Sequence, residues 1–407
     1  MSDKPKIWTP TFIILTAVNF VSALVFYLFI VKIVEYTMLT YGSSHSAAGL
    51  MVTAYVISSL LTRLLLGGKI DEWGLKRSII IGTAVNMAAA LLYFIEGGFV
   101  FLAAVRALHG VGFGIASGAL AAAAALVVPP ELRGEGIGYF SMAQALATGV
   151  GPFVAIILTG NGDYLMLFGF SAVATAVALA GSFIIRIPGD KPAKTRKADK
   201  DAIAESTANA PAEPKPALSL SRFVQVSVLP LAIPLLLVLL CYSGVLSFLT
   251  VFAEERNLIE ASSVYFIVYS VSILLTRPPV GRRVDRKGEN SVIYLTFLSL
   301  AVGLALLAFA YNGAVLLASA ALIGFGVGCT QSTIQTAIVR ITPKNELGRA
   351  NSTFFMSMDL GSGIGPVIIG ALIPFVGYQV VYLALALVAV GACATYHVLY
   401  GRKQGRK

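Results

Sequence analysis

Four ionisable side chains stand inside long apolar stretches of the chain, where charge is costly. Asp359 lies within FFMSMDLGSGIGP, Arg106 opens RALHGVGFG, and Lys32 and Glu35 are three residues apart in another apolar stretch. A bare charge at the centre of a bilayer costs roughly 3 kcal/mol or more, so each of these groups should face a partner or a wet cavity. Such residues are candidates for binding charged substrates or carrying protons.

Proton transfer is the chemistry that a carboxylate at this depth could perform. An unpaired Asp359 could bind and release a proton, which makes it the leading candidate for a proton carrier; the alternative is a permanent salt bridge between helices. Lys32 and Glu35 share one helix face because of their spacing, so they either neutralise each other or line an outer cavity and contact a substrate. His109, one turn from Arg106, either titrates near neutral pH or is a hydrogen-bonded packing residue.

The composition places these residues in a membrane protein. Hydrophobic residues make up 57% of the 407 residues and charged residues only 12%, with a mean hydropathy of +0.83. Soluble globular proteins carry about 25% charged residues, so this composition excludes secreted, nucleic-acid-binding and ordinary soluble-enzyme classes. At roughly 20 residues per span, the length accommodates about twelve transmembrane helices.

The charge and cysteine patterns limit the partners further. The formal net charge of +10 comes mainly from Lys and Arg residues near the ends of the apolar stretches, as the positive-inside rule requires. No nucleic acid or other polyanionic partner is therefore expected. Cys241, Cys329 and Cys393 all fall inside apolar stretches, so neither a disulfide framework nor a metal site is expected.

Twelve apolar stretches are long enough to cross a bilayer. They run over 11–37, 46–67, 78–95, 99–127, 136–158, 164–186, 224–252, 261–281, 291–310, 313–340, 349–373 and 378–400. Residues 188–222 are rich in Lys, Ala, Pro and acidic residues, which predicts a cytoplasmic linker between an N-terminal six-helix bundle at 1–187 and a C-terminal one at 223–407. The even number of spans puts both termini in the cytoplasm, and Lys4 and Lys6 indicate a retained first helix rather than a signal peptide.

The two halves of the chain repeat each other. The segment YVISSLLTRLLLGGKIDEWG at 55–74 matches YSVSILLTRPPVGRRVDRKG at 269–288, with each matched residue 214 positions later. Two further pairs keep this offset: HGVGFG at 109–114 with IGFGVG at 323–328, and GVGPF at 149–153 with GIGPV at 363–367. Duplicated six-helix halves around a central binding site are a common plan of secondary transporters.

The segment between the second and third stretches carries the most specific motif. GGKIDEWGLKR resembles the signature Gly-x-x-x-Asp-x-x-Gly-x-Lys/Arg-Arg of the major facilitator superfamily. The residues that carry the match are Gly67, Asp71, Gly74, Lys76 and Arg77. The resemblance covers nearly the whole chain outside the linker and implies an all-α membrane protein of twelve helices in two pseudo-symmetric six-helix bundles. In that family this loop latches the halves on the cytoplasmic side, and the duplicate around Asp285 argues against a merely solvated basic turn.

Two further resemblances concern coupling and direction. RALHGVGFG resembles the family's intramembrane arginine, which in proton-coupled members acts in proton transfer, and this implies the same role for Arg106; a structural ion pair is the alternative. The fifth stretch resembles the motif that marks exporters, with Gly151 and Pro152 present, but Ala147 replaces the middle glycine and Ala155–Ile156 replaces the final glycine pair. The second half repeats that pattern at Gly365 and Pro366. The resemblance therefore favours export.

Polar residues elsewhere in the apolar stretches complete the candidate site. Arg63 and Arg277 occupy matching positions in the repeat, as in the arabinose-efflux-like and opine-metallophore-exporter branches that the chain resembles, and a gate contact is favoured over substrate binding. Asn19, Gln331 and Gln335 are amides inside apolar stretches. The two glutamines share a helix face, so they either line a pocket or join helices through hydrogen bonds.

These features predict a proton-driven exporter of a small organic molecule, a drug or metabolite, that works in the plasma membrane by rocking of the two bundles. The embedded charges favour a zwitterionic or anionic amphiphile as substrate. The alternative is a proton-coupled importer of a sugar or organic acid, with Lys32, Arg63 and Arg277 gripping an anion. No cofactor and no enzymatic activity are expected. The sequence has no phosphate-binding loop, so ATP is not expected to drive transport directly. The protein is expected to act as a monomer.

Overall fold

A computed structural model describes most of the chain. It covers residues 7–129, 132–160, 162–187, 224–343 and 346–402, without the side chains of 67–72, 133–135, 145, 347 and 348. The predicted linker at 188–222 lies outside the described residues. All regular secondary structure in the described part is helical, which confirms the predicted all-α class.

Six helices make up the first half of the chain. They are α1 (Pro10–Tyr41), α2 (His45–Trp73), α3 (Leu75–Leu92), α4 (Gly98–Val127), α5 (Arg133–Leu158) and α6 (Tyr164–Ile184). Each coincides with one predicted apolar stretch, and each is long and apolar enough to cross a membrane. The longest, α1, has 32 residues and so extends beyond the roughly 20 that a bilayer requires.

The second half begins with a short 3-10 turn at Val226–Val228. Four helices follow: α7 (Leu229–Glu255), α8 (Ile259–Lys287), α9 (Asn290–Ala308) and α10 (Gly313–Ile341). The last helical run, Leu347–Tyr396, is interrupted at Gly377, where φ is 75° and ψ is 165°. This break divides it into α11 (347–376) and α12 (378–396), so the described residues contain twelve spanning helices, as predicted.

Several helix ends follow from local residues. Thr9, Asp163 and Asn312 precede α1, α6 and α10, and each side-chain oxygen accepts a hydrogen bond from a backbone N–H of the first turn. These caps satisfy donors that a helix start leaves without partners. Gly42 follows α1 with φ 59°, a left-handed conformation that glycine adopts without the penalty of a Cβ atom.

The packing of the helices repeats between the halves. In the first half α1 packs against α5, α2 and α3 pack against α4, and α3 packs against α6. In the second half α7 packs against α11, α8 and α9 pack against α10, and α9 packs against α12. Across the interface α2 meets α11 and α5 meets α8. The duplication in the sequence therefore appears as two pseudo-symmetric six-helix bundles.

The two ends of the bundles are named by the helices that begin and end there. The end at which α1 begins and α12 ends is termed the terminal side, and the other end is the opposite side. Large hydrophobic side chains are exposed along the perimeter, for example Leu275 at 72% and Leu387 at 73%. Apolar side chains can cover the perimeter to this extent because it faces lipid rather than water.

Candidate functional site

Polar contacts join the halves on the opposite side and near the middle of the bundle. His45 Nε2 and the Tyr378 hydroxyl are 2.9 Å apart and connect the start of α2 to the start of α12. Closer to the middle, the Thr53 hydroxyl of α2 donates to the Gly363 carbonyl of α11. These contacts hold the two bundles together on the opposite side.

Glycines permit the close approach of helices across the interface. A Cβ atom on Gly149 of α5 would collide with Ser270 Oγ and lie 2.7 Å from the Phe266 carbonyl oxygen of α8. At the pseudo-symmetric position, a Cβ atom on Gly363 of α11 would lie 3.0 Å from the Val56 side chain of α2. The same two helix faces, one on α2 and one on α8, therefore point at the other half.

An ion pair joins the halves further toward the terminal side. Arg63 Nη1 of α2 donates to Asp359 Oδ2 of α11 at 2.6 Å, and Arg63 Nη2 donates to Ser117 Oγ of α4 at 3.1 Å. The Arg63 guanidinium also lies 5.7 Å from the centroid of the Phe113 ring. The side chains of Arg63 and Asp359 are 25% and 20% exposed, so the pair borders open space.

Asp359 is therefore paired in this structure and is not the unpaired carboxylate that the sequence suggested. The two residues are 296 positions apart and meet only because α2 and α11 pack across the interface. The contact also agrees with the gate role that was favoured for Arg63. A charge-assisted hydrogen bond of this kind can hold two helices together or release them, depending on the charge of the carboxylate.

The matching arginine of the second half has different surroundings. Arg277 makes no hydrogen bond or ion pair with any residue that the structure describes, and its Nε atom is buried. Its electrostatic neighbours are the Cys329 thiol of α10 and the Tyr269 phenol of α8. The offset of 214 residues matches Asp359 to Ala145, so the sequence supplies no carboxylate at the corresponding position of the first half.

Tyrosines from both halves lie near these charges. Tyr242 of α7 and Tyr269 of α8 stack with ring centroids 4.9 Å apart and an interplanar angle of 7°. Tyr27 of α1, in the other half, lies near both of them and near Asp359. The sequence did not single out these tyrosines, because no spacing along the chain distinguishes them from other aromatic residues.

Arg106 is fully buried inside the first half. Its Nε donates to the Met51 carbonyl at 3.0 Å, its Nη1 donates to the Tyr93 hydroxyl at 3.3 Å, and its guanidinium carbon lies 4.5 Å from the centroid of the Tyr55 ring. No carboxylate of the described residues pairs with it, so hydrogen bonds and cation–π contact take the place of the structural ion pair that was the alternative for this residue. His109 Nδ1 lies 3.2 Å from the same Tyr93 hydroxyl, which fits its packing alternative.

Lys32 and Glu35 form a compact pair on α1. Lys32 Nζ donates to both Glu35 carboxylate oxygens at 2.8 Å, and the Tyr164 hydroxyl of α6 donates to Glu35 Oε1 at 2.7 Å. The two side chains are only 8% and 13% exposed, so they neutralise each other in the structure. Asn19, on the same helix, is buried, and its Nδ2 has no hydrogen-bond partner among the described residues.

The two glutamines of α10 lie on the side of that helix that approaches α11. Gln331 Nε2 donates to Met358 Sδ at 3.3 Å, beside Asp359 in the sequence. Gln335 follows one turn later and is half-buried. The Gln331 contact joins α10 to α11 through a hydrogen bond, which is one of the two roles expected for these amides. It also places an amide next to the Arg63–Asp359 pair.

The loop motif lies on the terminal side. Gly74 precedes α3 with φ 86°, and Arg77 and Asp285 are exposed at this end of the bundles. Gly67 and Asp71 lie on α2, but their side chains are outside the described residues. The predicted latch between the halves at this loop therefore remains a prediction.

The exporter-type motif residues pack helices within each half. A Cβ atom on Gly151 of α5 would lie 2.9 Å from a backbone carbonyl of α1, and one on Gly365 of α11 would lie 3.1 Å from a backbone carbonyl of α7. Pro152 and Pro366 follow these glycines inside the helices. In each half, the glycine at this position packs a helix of the interface against its neighbour: α5 against α1 in the first half, and α11 against α7 in the second.

A second charged contact on the terminal side was also missed from the sequence. Glu289, at the start of α9, is fully buried, and its Oε1 lies 2.9 Å from Arg340 Nη1 of α10. A carboxylate directly after the repeated loop motif could have signalled this contact, since Glu289 follows Gly288. The matching residue of the first half is Leu75, so here too the halves differ in charge.

The groups between the halves suit an organic molecule. Within the described residues, no three His, Cys, Asp or Glu side chains gather as metal ligands would. The groups present are two arginines, one aspartate, tyrosines and amides. Such groups recognise small molecules by charge, hydrogen bonding and stacking.

Comparisons with known proteins agree with this architecture. The family model described as Major Facilitator Superfamily matches residues 15–267 and 258–406. An uncharacterized MFS-type transporter of Methanocaldococcus jannaschii is 24% identical over 94% of both chains. The staphylopine export protein of Staphylococcus aureus is 21% identical over 86% of each chain. The multi-drug resistance efflux pump PmrA of Streptococcus pneumoniae is 25% identical over 85% of this chain and 84% of its own.

Solved structures show the same fold at low sequence identity. A POT family transporter in complex with 5-aminolevulinic acid aligns with a TM-score of 0.76 and 14% identity over 96% of each chain. The nucleoside transporter NupG aligns with a TM-score of 0.71 and 13% identity over 96% of this chain and 99% of its own. Twelve helices in two related bundles, charged and aromatic groups between them, and a family model that spans nearly the whole chain lead to one assignment: this chain belongs to the major facilitator superfamily of membrane transporters for small molecules.

Proposed function

We propose that this transporter is a proton-coupled exporter of a small organic molecule, a drug or metabolite, and that it exchanges substrate for protons by alternating access. The observation that carries the proposal is the Arg63–Asp359 ion pair, which joins the two halves and borders open space. A titratable group in the contact between two moving bundles can couple protonation to their movement.

The charge of Asp359 would control the strength of the contact. When Asp359 is ionised, its carboxylate accepts a charge-assisted hydrogen bond from Arg63 and ties α2 to α11. When it is protonated, the negative charge is gone and the ionic part of this contact is lost. Ser117 and the Phe113 ring continue to hold the guanidinium, so Arg63 need not enter lipid. Protons would therefore bind preferentially to the state in which α2 and α11 separate.

The partial exposure of the pair provides the route for the proton. At 20% exposure, Asp359 borders the space between the bundles and can exchange a proton with water that enters this space. Substrate would bind in the same space, beside Tyr27 and the stacked Tyr242 and Tyr269. Substrate and proton then act on one interface, which is the condition for exchanging one against the other.

The packing motif and the relatives support export, and the distribution of basic residues supports one orientation in the membrane. The exporter-type motif around Gly151 and Pro152 keeps helices of the interface in place, and relatives named for staphylopine export and multi-drug efflux align over about 85% of the chain. The basic residues cluster near the terminal side, which under the positive-inside rule supports a cytoplasmic location for that side and for both termini. We place the transporter in the plasma membrane as a monomer.

The importer alternative has less support from the side chains. It requires Lys32, Arg63 and Arg277 to grip an anionic substrate. Lys32 and Arg63 each bind a carboxylate of the protein itself, which leaves one of the three without an ionic partner among the described residues.

Uptake by everted membrane vesicles tests the proposal, because the vesicle lumen then corresponds to the outside of the cell. Ethidium, carboxyfluorescein and a zwitterionic rhodamine serve as probes, and vesicles without the transporter serve as the control. An exporter coupled to protons accumulates at least one probe when the lumen is acidic, and nigericin, which collapses the pH gradient, abolishes accumulation. Accumulation only with an alkaline lumen, or equal accumulation without any gradient, would contradict proton-driven export.

A further inference from the structure

We infer that Arg277 receives an anionic group of the substrate, a carboxylate or a similarly compact anion. This inference rests on the proposed function, because it assigns one part of the transported molecule to the space between the halves. It specifies a substrate class that exporter function alone does not imply.

The helix geometry points Arg277 at the interface. Arg277 follows Phe266 by eleven residues and Ser270 by seven, and at 3.6 residues per turn all three lie on one face of α8. Phe266 and Ser270 are the residues of α8 that approach Gly149 in the other half. Leu275, which is 72% exposed, marks the lipid-facing side of the helix instead. Arg277 therefore continues the interface face about two turns beyond Ser270, toward the terminal side.

The protein itself does not compensate the charge of Arg277. Its Nε atom is buried without a hydrogen-bond partner, and no carboxylate in the described part of the chain pairs with it. Its electrostatic neighbours, the Cys329 thiol and the Tyr269 phenol, are groups that are neutral in their ordinary protonation state. Arg277 is half-buried, and a cation that is partly withdrawn from water without a counter-ion is costly, so an incoming anion would relieve this cost.

The comparison with Arg63 shows what kind of partner the position accepts. Arg63 occupies the same place in the first half and binds the Asp359 carboxylate at 2.6 Å. The repeat supplies Ala145 where Asp359 would be needed for Arg277. A planar guanidinium matches a carboxylate well, so a substrate carboxylate fits the role at Arg277 that Asp359 fills at Arg63.

The tyrosines near Arg277 indicate the chemistry of the rest of the substrate. Tyr269 lies near Arg277 and near Tyr27 of the other half, and Tyr27 lies near Asp359. Tyr269 and its stacked neighbour Tyr242 are buried in this structure, so the body of a substrate whose anion pairs with Arg277 would meet them when the two bundles move apart, in the direction of the Arg63–Asp359 pair. An aromatic carboxylate satisfies both the charge and the stacking surface.

Equilibrium binding to the purified full-length protein in detergent, without any proton gradient, tests this inference. Two matched pairs of probes differ only in charge: indole-3-acetate with indole-3-acetamide, and N-acetylphenylalanine with its amide. We expect at least one carboxylate to raise the melting temperature and to bind roughly tenfold more tightly than its amide, as a charge-assisted contact predicts.

Three variants locate the effect. Arg277→Gln should bind carboxylate and amide equally, and Arg277→Lys should keep part of the preference because it keeps the positive charge. Arg282→Gln is the matched control, since Arg282 is exposed on the same helix and should leave the preference unchanged. If Arg277→Gln fails to elute as a folded protein, Arg277→Lys decides the question through its weakened preference.

The inference is overturned if neither carboxylate binds more tightly than its amide, or if the preference survives in Arg277→Gln. Because no gradient is present, absent proton coupling does not affect this result. The two proposals can fail separately. If the carboxylate preference depends on Arg277 but vesicle uptake does not depend on pH, proton-driven export is rejected and the anion site at Arg277 is retained.

Discussion

Arg63 and Arg277 occupy the same position in the two halves, and their surroundings differ. Arg63 binds Asp359 across the interface, whereas Arg277 meets no carboxylate in the described part of the chain. The scaffold around them is nearly the same, since Gly149 and Gly363 bring the same helix faces together on the two sides. The difference therefore lies in the charges and not in the backbone.

The opposite side shows a second difference of the same kind. The first half buries the Lys32–Glu35 pair, and the offset of 214 residues matches these positions to Leu246 and Leu249, which are buried apolar residues. A duplicated scaffold thus tolerates either an ion pair or two leucines at one place. Helix packing is preserved by small residues at the contacts, while polar groups are free to diverge and to give the two halves different roles.

Removing the carboxylate that only one half possesses should have the largest effect. Asp359→Asn keeps the side-chain size and removes both the proton site and the ionic partner of Arg63. We expect pH-driven uptake into everted vesicles to fall to the level of vesicles without the transporter, with an unchanged amount of protein in the membrane.

The matched control for that variant is Asp163→Asn. Asp163 caps the start of α6, and asparagine caps a helix about as well as aspartate, so uptake should stay at the wild-type level. Undiminished pH-driven uptake by Asp359→Asn would refute the role of Asp359 in coupling.

Replacing Lys32 and Glu35 by leucine, as at the matching positions of the second half, tests the contribution of the buried pair on α1. Lys32→Leu alone leaves the Glu35 carboxylate without its cation and should lower the free energy of unfolding by about 3 kcal/mol. The double variant Lys32→Leu, Glu35→Leu reproduces the leucines of the second half, so we expect it to lie within about 1 kcal/mol of the wild type, with Tyr164 losing one hydrogen bond. Denaturant titration in detergent measures both, and equal losses in the single and double variants would speak against the comparison.

Neutralising the two matching arginines should give unequal losses of stability. Arg63→Gln leaves Asp359 without its ionic partner and should lower the free energy of unfolding by roughly 2 kcal/mol, less than a fully buried pair because these side chains are partly exposed. Arg277→Gln breaks no ion pair among the described residues, so its stability should be unchanged or higher. Thermal unfolding of the two variants at one pH makes this comparison, and a larger loss for Arg277→Gln would contradict the assignment of partners.

The glycine contacts should give the smallest and most local effects. Gly149→Ala brings a methyl group against the Phe266 backbone carbonyl, which cannot move without shifting α8, and should cost about 1–2 kcal/mol. Gly363→Ala meets the Val56 side chain, which can adjust, and should cost less than about 1 kcal/mol. Thermal unfolding of both variants measures the difference, and equal melting temperatures would show that the two interfaces are packed alike.

The fold could be predicted from the sequence because a bilayer restricts the possible structures. A spanning segment needs roughly 20 apolar residues and must satisfy its backbone groups internally, so twelve apolar stretches predicted twelve helices. The break at Gly377 falls between the predicted stretches at 349–373 and 378–400. The duplication was visible because a constant offset relates residues such as Asp71 and Asp285.

The partners of the charged side chains could be predicted only in part. The spacing of Lys32 and Glu35 put them on one helix face but did not show whether they bind each other or a substrate. Arg106 was expected in a wet cavity or an ion pair, and the structure surrounds it with Tyr55, Tyr93 and a backbone carbonyl from three other positions of the first half. Such surroundings depend on several helices at once.

By itself, the sequence determined the number of helices, the duplication and the position of each embedded charge along its helix, because apolar length and residue spacing act along one chain. The tertiary structure alone decided which charges are compensated. Arg63 meets Asp359 because two helices from different halves approach within hydrogen-bonding distance, and Arg277 lacks such a partner among the described residues although it has the same place in the repeat. Coulomb and hydrogen-bond energies depend on distances in space, and no spacing along the chain specifies those distances for helices from different halves.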